Sequence, residues 1–438
     1  MTAEVAIINK TAIALAADSA ITLSLGTDQQ KVFDSEDKLF ELTRHDPIGV
    51  MINNNMHFME APLPVLIRRY RSRCPRFDKV SEAAEHFLGH LQAFGAKSPR
   101  QTVIRSLFAS LSPVFSILQS RVTEKFSDRI SQPFPDDIGD IGAYFSDLRA
   151  IILSEQIGTL KRAIEPIEHT EVIGAVIDDD GATDEVINSL IDEHISDAGE
   201  AQVAQAKELA ALVLTRRVRW SPHTGVIVAG YGQNEIFPTL VSYEVFGMHQ
   251  GQLRIYKTND VDVRRGGVRA KVIPFAQKEM VERFLYGLDD QIERKIEDFC
   301  RQSIPSIREK TMETLVMEDN DRENTEAEMQ EAERTFLEAL REQTFDVIRQ
   351  QSQEEIEGMV EFMPKLEMAR MAEALVNLTS IKRRVTRGME TVGGPIDCAV
   401  ISQADGFVWV KRKHYFPQEL NRRYFDRMRD QNQNAEEA

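Results

Sequence analysis

The sequence opens Met1-Thr2, and a small second residue permits removal of the initiator methionine. That would leave Thr2 with a free α-amine. A threonine hydroxyl is a poor nucleophile unless a base takes its proton, and the amine of the same residue can be that base. An α-amine titrates near ~8, much closer to working pH than a lysine at ~10.4. A nearby cationic lysine would lower that value further and stabilise negative charge on the attacking oxygen. A carboxylate would then hold the lysine in place. The chemistry this suits is attack on an amide carbonyl, with an acyl-enzyme ester as intermediate.

Other groupings carry blander readings. His86 and His90 are four apart on an expected helix, a spacing that puts two metal ligands on one face. No H-E-x-x-H frame and no third ligand accompany them, so they read as surface or packing histidines, and no metal is expected. Asp178-Asp179-Asp180-Gly181 has the flavour of a calcium loop, but its glycine comes too early and no Glu closes the frame, so it reads as a solvated turn. Gly230-Tyr231-Gly232 lacks the third glycine and the helix start of a nucleotide fingerprint, and no cofactor is expected. Arg68, Arg69, Arg71, Arg73 and Arg76 cluster on one expected helix and its exit. They suit pairing with acidic residues of the same or a neighbouring chain, and such attraction also aids docking to a partner.

These residues must be positioned by a chain of 438 residues, long enough for up to three domains at ~150 residues each. Hydrophobic content of 42% with 28% charged residues is ordinary for a globular protein. The net charge of −17 argues against general nucleic-acid binding, which needs Lys and Arg to displace counterions from phosphate. No apolar run reaches the ~18 residues expected of a membrane span. Glu4, Asn9 and Lys10 interrupt any signal-peptide core. Cys74, Cys300 and Cys398 are too few and too far apart for a disulfide framework, so the expected location is a reducing cytoplasm. From Glu318 to Glu361, fifteen acidic residues face four arginines, a local net of −11. Met329, Phe336, Leu337, Leu340, Phe345 and Ile348 recur there at helical spacing, which predicts a solvated helix beside a short disordered segment around Glu318–Thr325. An acidic docking arm is the alternative.

Alternation predicts a strand hairpin over 3–25 turning at Asn9-Lys10, then strands Lys38–Leu42 and Ile48–Ile52 around His45-Asp46-Pro47. Helices are expected at Met59–Arg73 and Ser81–Phe94, the latter capped by Ser81. A mostly helical tract over 95–215 comes next, interrupted at Pro133, Pro135, Gly139, Gly142 and Asp178–Gly181. Strands return at Gly225–Gly230, Thr239–Phe246, Gln252–Tyr256 and Val268–Ile273. Helices then run from Gln277 to Arg387, with breaks near Pro305 and Pro364. The last pair, Ile396–Ser402 and Phe407–Lys411, turns at Ala404-Asp405-Gly406, and the tail from Asp430 is polar. Hairpin-built sheets with helices outside fit a layered α+β sandwich better than a parallel sheet.

The run Thr2-Ala3-Glu4-Val5-Ala6-Ile7, followed by Ile13-Ala14-Leu15-Ala16-Ala17-Asp18-Ser19, resembles the first hairpin of proteasome β subunits. That family places its catalytic threonine at the mature terminus and an Asp sixteen residues later, the spacing of Thr2 and Asp18. Its catalytic lysine lies in a strand that Asp37-Lys38-Leu39-Phe40-Glu41-Leu42 resembles, with the Leu25–Phe33 connection absorbing four extra residues. The resemblance therefore implies Thr2 as nucleophile, Lys38 as the cation beside it and Asp18 as the residue that orients Lys38. Ile48-Gly49-Val50-Met51-Ile52 is placed like the strand leading to the family's oxyanion loop, which here reads Asn53-Asn54-Asn55 and offers the Asn53 N–H. Phe77–Ala84, Val226–Gly232 and Ala372–Asp397 resemble the family's second helix, next central strand and last helix with its glycine turn. The family's supporting turn reads Arg387-Gly388-Met389-Glu390-Thr391-Val392-Gly393-Gly394, where its Asp and Ser are out of register and Glu390 and Thr391 stand instead, with Ser19 as a further supporting residue.

The fold implied by the resemblance is a four-layer αββα sandwich of the N-terminal nucleophile (Ntn) hydrolase type. Core segments would span 1–94, 220–290 and 362–415. Helical insertions would fill 95–219 and 291–361, the second acidic, with a polar tail at 416–438. The implied activity is threonine-type cleavage of peptide bonds, with a polypeptide or small amide as substrate, a homo-oligomeric assembly and room for an unfoldase partner. Two alternatives are an Ntn amidase for small amides and a catalytically silent assembly subunit.

Overall fold

A computed structural model describes residues 3–24, 30–132, 140–218, 220–264, 267–314, 319–386, 392–414, 416–423 and 426. The protein is α+β with antiparallel sheets. It divides into two compact units, one of residues 1–39, 236–238 and 262–438, the other of residues 40–235 and 239–261.

The first unit is built on a five-stranded sheet in the order Ala270–Ala276, Ala3–Asn9, Ile13–Ala17, Asp397–Ser402, Gly406–Lys411. Ala3–Asn9 is buried at every position, and so is Ile13–Ala17, as strands of small and aliphatic residues allow. Ala3, Val5, Ile7, Ala14 and Ala16 share one face, on which helix Lys365–Val385 lays Met368, Ala369, Ala372, Leu375 and Val376. The hairpin turns at Asn9-Lys10 as its sequence predicts. Asn9 Oδ1 accepts from the Thr11 and Ala12 N–H groups, while Asn9 Nδ2 donates to Val360 O and Met363 O at 2.9 and 3.0 Å. That amide gives Val360 O, which also accepts from Met363 N–H, a second donor, and binds Met363 O beyond the end of helix Asp346–Val360. Helices Asp290–Thr314 and Asp319–Ala339 precede it, joined to it through a six-residue π-helical segment, Leu340–Phe345. Pro305 lies inside Asp290–Thr314 and does not break it. Residues 319–325, expected to be disordered, are helical.

The second unit carries a six-stranded sheet in the order Leu39–Glu41, Ile48–Asn54, Thr224–Gly230, Thr239–His249, Gln252–Asp262, Glu171–Ile173. Helices Leu63–Arg71 and Val80–Gly95 accompany it. The first starts four residues later than the sequence pattern suggests. Met59 and Glu60 adopt left-handed backbone angles, φ 47° and 64°, in the turn between short strands His57–Phe58 and Ala61–Pro62, and Pro64 falls in the first helical turn, where its missing N–H is harmless. The second starts at Val80, with Lys79 rather than Ser81 as its cap residue. Helices Arg100–Ile130, Ile141–Ile164, Ala182–His194 and Glu200–Thr215 gather around a core of their own that includes Leu111, Phe115, Ile157, Leu190 and Leu209. By length and composition alone, Arg100–Ile130 is apolar enough to cross a membrane, contrary to the reading from run length; Leu107, Leu111, Val114, Phe115, Leu118 and Val122 are its buried face. The tract is also not wholly helical, since Glu171–Ile173 pairs with Leu253–Ile255 as the sheet's edge.

Candidate active site

Asp18 follows the last residue of strand Ile13–Ala17 and Lys38 precedes strand Leu39–Glu41. Both belong to the first unit, and their side chains are essentially removed from solvent. The Lys38 ammonium donates to Asp18 Oδ1 at 2.6 Å and to Ala20 O at 2.7 Å. Asp18 Oδ1 also accepts from Ala3 N–H, and Asp18 Oδ2 from Gly393 N–H, both at 3.1 Å. Asp18 N–H in turn donates to Ala3 O at 3.1 Å, so the two residues are tied twice. A charged group this deep persists only when paired and hydrogen-bonded, and the carboxylate has three donors. The ammonium has three N–H groups, two of which are used among the described residues.

Ser19 and the glycine turn complete the frame. Ser19 N–H donates to Gly393 O at 3.2 Å, Ser19 Oγ donates to Pro395 O, and Glu36 N–H donates to Ser19 O at 3.1 Å. Gly394 has φ 73°, and a Cβ there would lie 2.5 Å from Asp34 O, so the turn needs glycine both for its backbone angle and for the close approach. Ser19 is thus a structural tie of the turn that holds Asp18. Thr2, Glu390 and Thr391 lie outside the described residues.

Asn53 sits in the second unit, in strand Ile48–Asn54 opposite Gly225. It is buried, and a Cβ on residue 225 would lie 2.1 Å from Asn53 Oδ1, so Gly225 is the space in which Asn53 packs. The turn after it is held by residues that no motif marks. Asn54, at φ 63°, has its Nδ2 3.0 Å from His223 Nε2, and His223 Nδ1 lies 3.1 Å from Ser221 O. A carbonyl can only accept, so the Nδ1 carries the proton and Nε2 accepts from Asn54. Thr224 Oγ1 donates to Asn55 O at 2.9 Å. Only the Ser-Pro-His stretch just before strand Thr224–Gly230 hints at this role.

The remaining candidates resolve into structure. His86 packs against Tyr70, whose hydroxyl lies 3.1 Å from His86 Nδ1, and the His90 ring is 5.4 Å from the Tyr70 ring. Burial, with Arg69, His86 and Arg73 nearby, lowers the His90 pKa. Arg71 pairs with Glu41, whereas Arg68, Arg69, Arg73 and Arg76 are exposed and enter no ion pair among the described residues. Among the described residues no group of three or more His, Cys, Asp or Glu side chains is placed to hold a metal. Compared with known proteins, the sequence matches no family model and no curated protein.

Proposed function

We propose that this chain is a threonine-type Ntn hydrolase, similar to proteasome β subunits, that cleaves peptide bonds with Thr2 as nucleophile. The observation that carries this reading is the buried Lys38–Asp18 pair, whose carboxylate is tied to the N–H of Ala3, the residue next to Thr2 in sequence. The four-layer αββα arrangement belongs to the same proposal. Each unit contains an antiparallel sheet with helices, which is the content of half such a sandwich.

In the proposed mechanism Thr2 is the amino-terminal residue of the mature chain. Its α-amine takes the hydroxyl proton, directly or through water, and the oxygen attacks the amide carbonyl. The oxyanion is held by backbone N–H groups other than that of Asn53, which faces Gly225 at a hydrogen-bonded position of the strand ladder. The leaving amine takes the proton back from the α-ammonium, an acyl ester remains on Thr2, and water activated by the same amine releases the acid. Lys38 supplies fixed positive charge at the nucleophile, and Asp18 fixes Lys38. Working as a homo-oligomer in a reducing cytoplasm, with an unfoldase partner for folded substrates, completes the reading; three free cysteines support that compartment.

The test is the amino terminus. Intact mass should show Met1 removed, a β-lactone probe should acylate Thr2, and Thr2→Ala should abolish peptide-amide hydrolysis while Thr2→Ser slows it. Retained Met1, or hydrolysis untouched by Thr2→Ala, would sink the mechanism. An intact, unlabelled Thr2 would point to the silent assembly subunit, and cleavage of small amides without cleavage of unfolded polypeptide to the amidase.

A further inference from the structure

The end of helix Leu63–Arg71 carries more positive charge than its own unit matches. Residues 63–77 include Arg68, Arg69, Arg71, Arg73 and Arg76 and no acid. Arg71 is taken by Glu41, whereas Arg68, Arg69, Arg73 and Arg76 are exposed and no ion pair holds them among the described residues. Arg69 and Arg73 both act on His90, and the exposed Arg44 acts with Arg71 on Glu41, so these cations share one region of the second unit. A helix dipole favours cations in the last turn, which accounts for Arg68, Arg69 and Arg71. Arg73 and Arg76 lie past the cap residue, Ser72, and that field does not account for them.

The first unit presents a surface of opposite sign. Helix Asp319–Ala339 packs along helix Asp290–Thr314, with the half-buried Thr325, Met329, Glu333 and Leu337 on the packed side and Glu333 paired with Arg308. Asp321, Glu328, Glu331 and Glu338 follow one another at seven, three and seven residues, which sets them along the other side, and all four are exposed. The stripe is about 25 Å long at 1.5 Å per residue. Glu331 is held by Arg334, while Asp321, Glu328 and Glu338 enter no ion pair among the described residues. An arginine fork fits a carboxylate, so each surface supplies what the other lacks. A nucleic acid is also anionic, but it would have to approach a chain of net charge −17. Every copy of the chain carries both signs, so contact between copies neutralises both surfaces at once. Exposed pairs are individually weak, and their effect is to orient the partner, because any register that sets like charges together is penalised. Val65, 58% exposed one turn before Arg68 and Arg69, adds apolar area beside them.

We propose that the arginine face at the end of helix Leu63–Arg71 docks the acidic stripe of helix Asp319–Ala339 on a second copy of the chain. The contact gives the homo-oligomer proposed above its surfaces; it rests on that part of the reading and not on Thr2. The experiment is sedimentation velocity on the full chain over a concentration series, in which the wild-type protein should self-associate. Arg73→Glu with Arg76→Glu in one variant, and Glu328→Arg with Glu338→Arg in another, should each weaken association about tenfold or more at unchanged circular dichroism, since each sets like charges face to face. An equimolar mixture of the two variants should recover the wild-type assembly. The reversed face of one then meets the reversed stripe of the other, and the unchanged surfaces meet as before. Mixing reads the contact better than added salt, which also relieves the mutual repulsion of two chains at −17. Arg68→Gln with Arg69→Gln only neutralises charge; it should also weaken association, and it serves if the reversals disturb folding. A wild-type protein that stays monomeric would overturn both the surfaces and the homo-oligomer. An assembly that neither reversal weakens, or a mixture that fails to recover, overturns the surfaces and leaves the homo-oligomer standing. A reversal that moves the melting midpoint but not the sedimenting mass assigns the pairing to a single chain and likewise overturns the proposal.

Discussion

Replacing Lys38 by Met separates what the buried ion pair does for stability from what it does for chemistry. Methionine keeps the length and packing of the side chain and removes the charge. Asp18 would then stay buried with only the N–H groups of Ala3 and Gly393 as donors. Deleting one partner of a buried pair costs about 3–5 kcal/mol, because the other charge is stranded. The pair belongs to a unit of roughly two hundred residues, for which 1 kcal/mol moves the melting midpoint by about 2–4 °C. Lys38→Met should therefore lower that unit's transition by roughly 6–20 °C in calorimetry. Asp18→Asn combined with Lys38→Met removes the stranded charge, and its amide oxygen still accepts from Ala3 N–H, so more than half of the loss should return. Neither protein should hydrolyse peptide amides. A Lys38→Met protein that melts within about 2 °C of its parent would refute the structural argument, given the range expected above. A stable double variant with undiminished hydrolysis would refute the proposed role of Lys38.

Other parts of the structure carry three more expected outcomes. Gly225→Ala drives a methyl into the Asn53 side chain and should lower unfolding free energy in urea by about 1–3 kcal/mol, largely restored by adding Asn53→Ala. His90 and His249 are both held below the ordinary histidine value, chiefly by burial, with Arg69 assisting at the first and Arg254 at the second. The unfolded chain therefore binds protons that the folded chain refuses. Stability is present above about pH 6.5 and falls as the pH drops below it, by up to about 1.4 kcal/mol per pH unit for each histidine. Melting curves of His249→Gln should show a shallower acid slope, and an unchanged slope would contradict the assignment. Burial pushes the Cys398 thiol up to about 12, so its share of stability is full below an ordinary thiol value near ~8.5 and is lost as pH rises towards 12. Thiol labelling read by mass spectrometry should mark the half-exposed Cys74 and Cys300 in the native protein, and Cys398 only on unfolding.

The readable parts of the sequence are those in which a local pattern and the tertiary environment agree. Val5, Ile7, Ala14 and Ala16 alternate onto one buried face, and Asn9-Lys10 turns the chain between them. Asp18 and Lys38 stand at strand ends, where a charged residue is conspicuous among aliphatic neighbours, so their spacing is visible. Their hydrogen-bond partners are not, because Ala3, Ala20 and Gly393 contribute backbone groups that carry no side-chain signature. Apolar spacing runs through Met59 and Glu60 as though the helix had begun, and nothing local betrays two non-glycine residues at positive φ. Glu171–Ile173 escapes detection because three residues are too short to show a period, and the sheet edge alone makes them a strand. Charge alone makes residues 319–325 look disordered. Packing elsewhere along the helix, including the Arg308–Glu333 pair, outweighs a composition that favours solvent.

The acidic tract and the buried Lys38–Asp18 pair belong to different parts of the first unit, and Asn9 and Lys10 connect them. The acidic helices do not end freely. Asn9 binds Val360 O and Met363 O, and Lys10 pairs with Glu361 at 2.6 Å, so the last acidic helix is fastened to the turn of the hairpin whose far ends carry Ala3 and Asp18. Ordering that helix therefore supports the hairpin from its turn, while Lys38 and Gly393 support it from the other end. Of the acidic side chains, Glu331 pairs with Arg334 within the tract and Glu333 and Glu361 with Arg308 and Lys10 outside it; charges exposed to solvent are screened by salt beyond about 10 Å. The Lys38–Asp18 pair is out of water and feels its immediate donors and acceptors instead. A net charge of −17 consequently says little about the group that Thr2 would attack. Asn9, with Lys10, is where the last acidic helix holds the hairpin that carries Ala3 and Asp18.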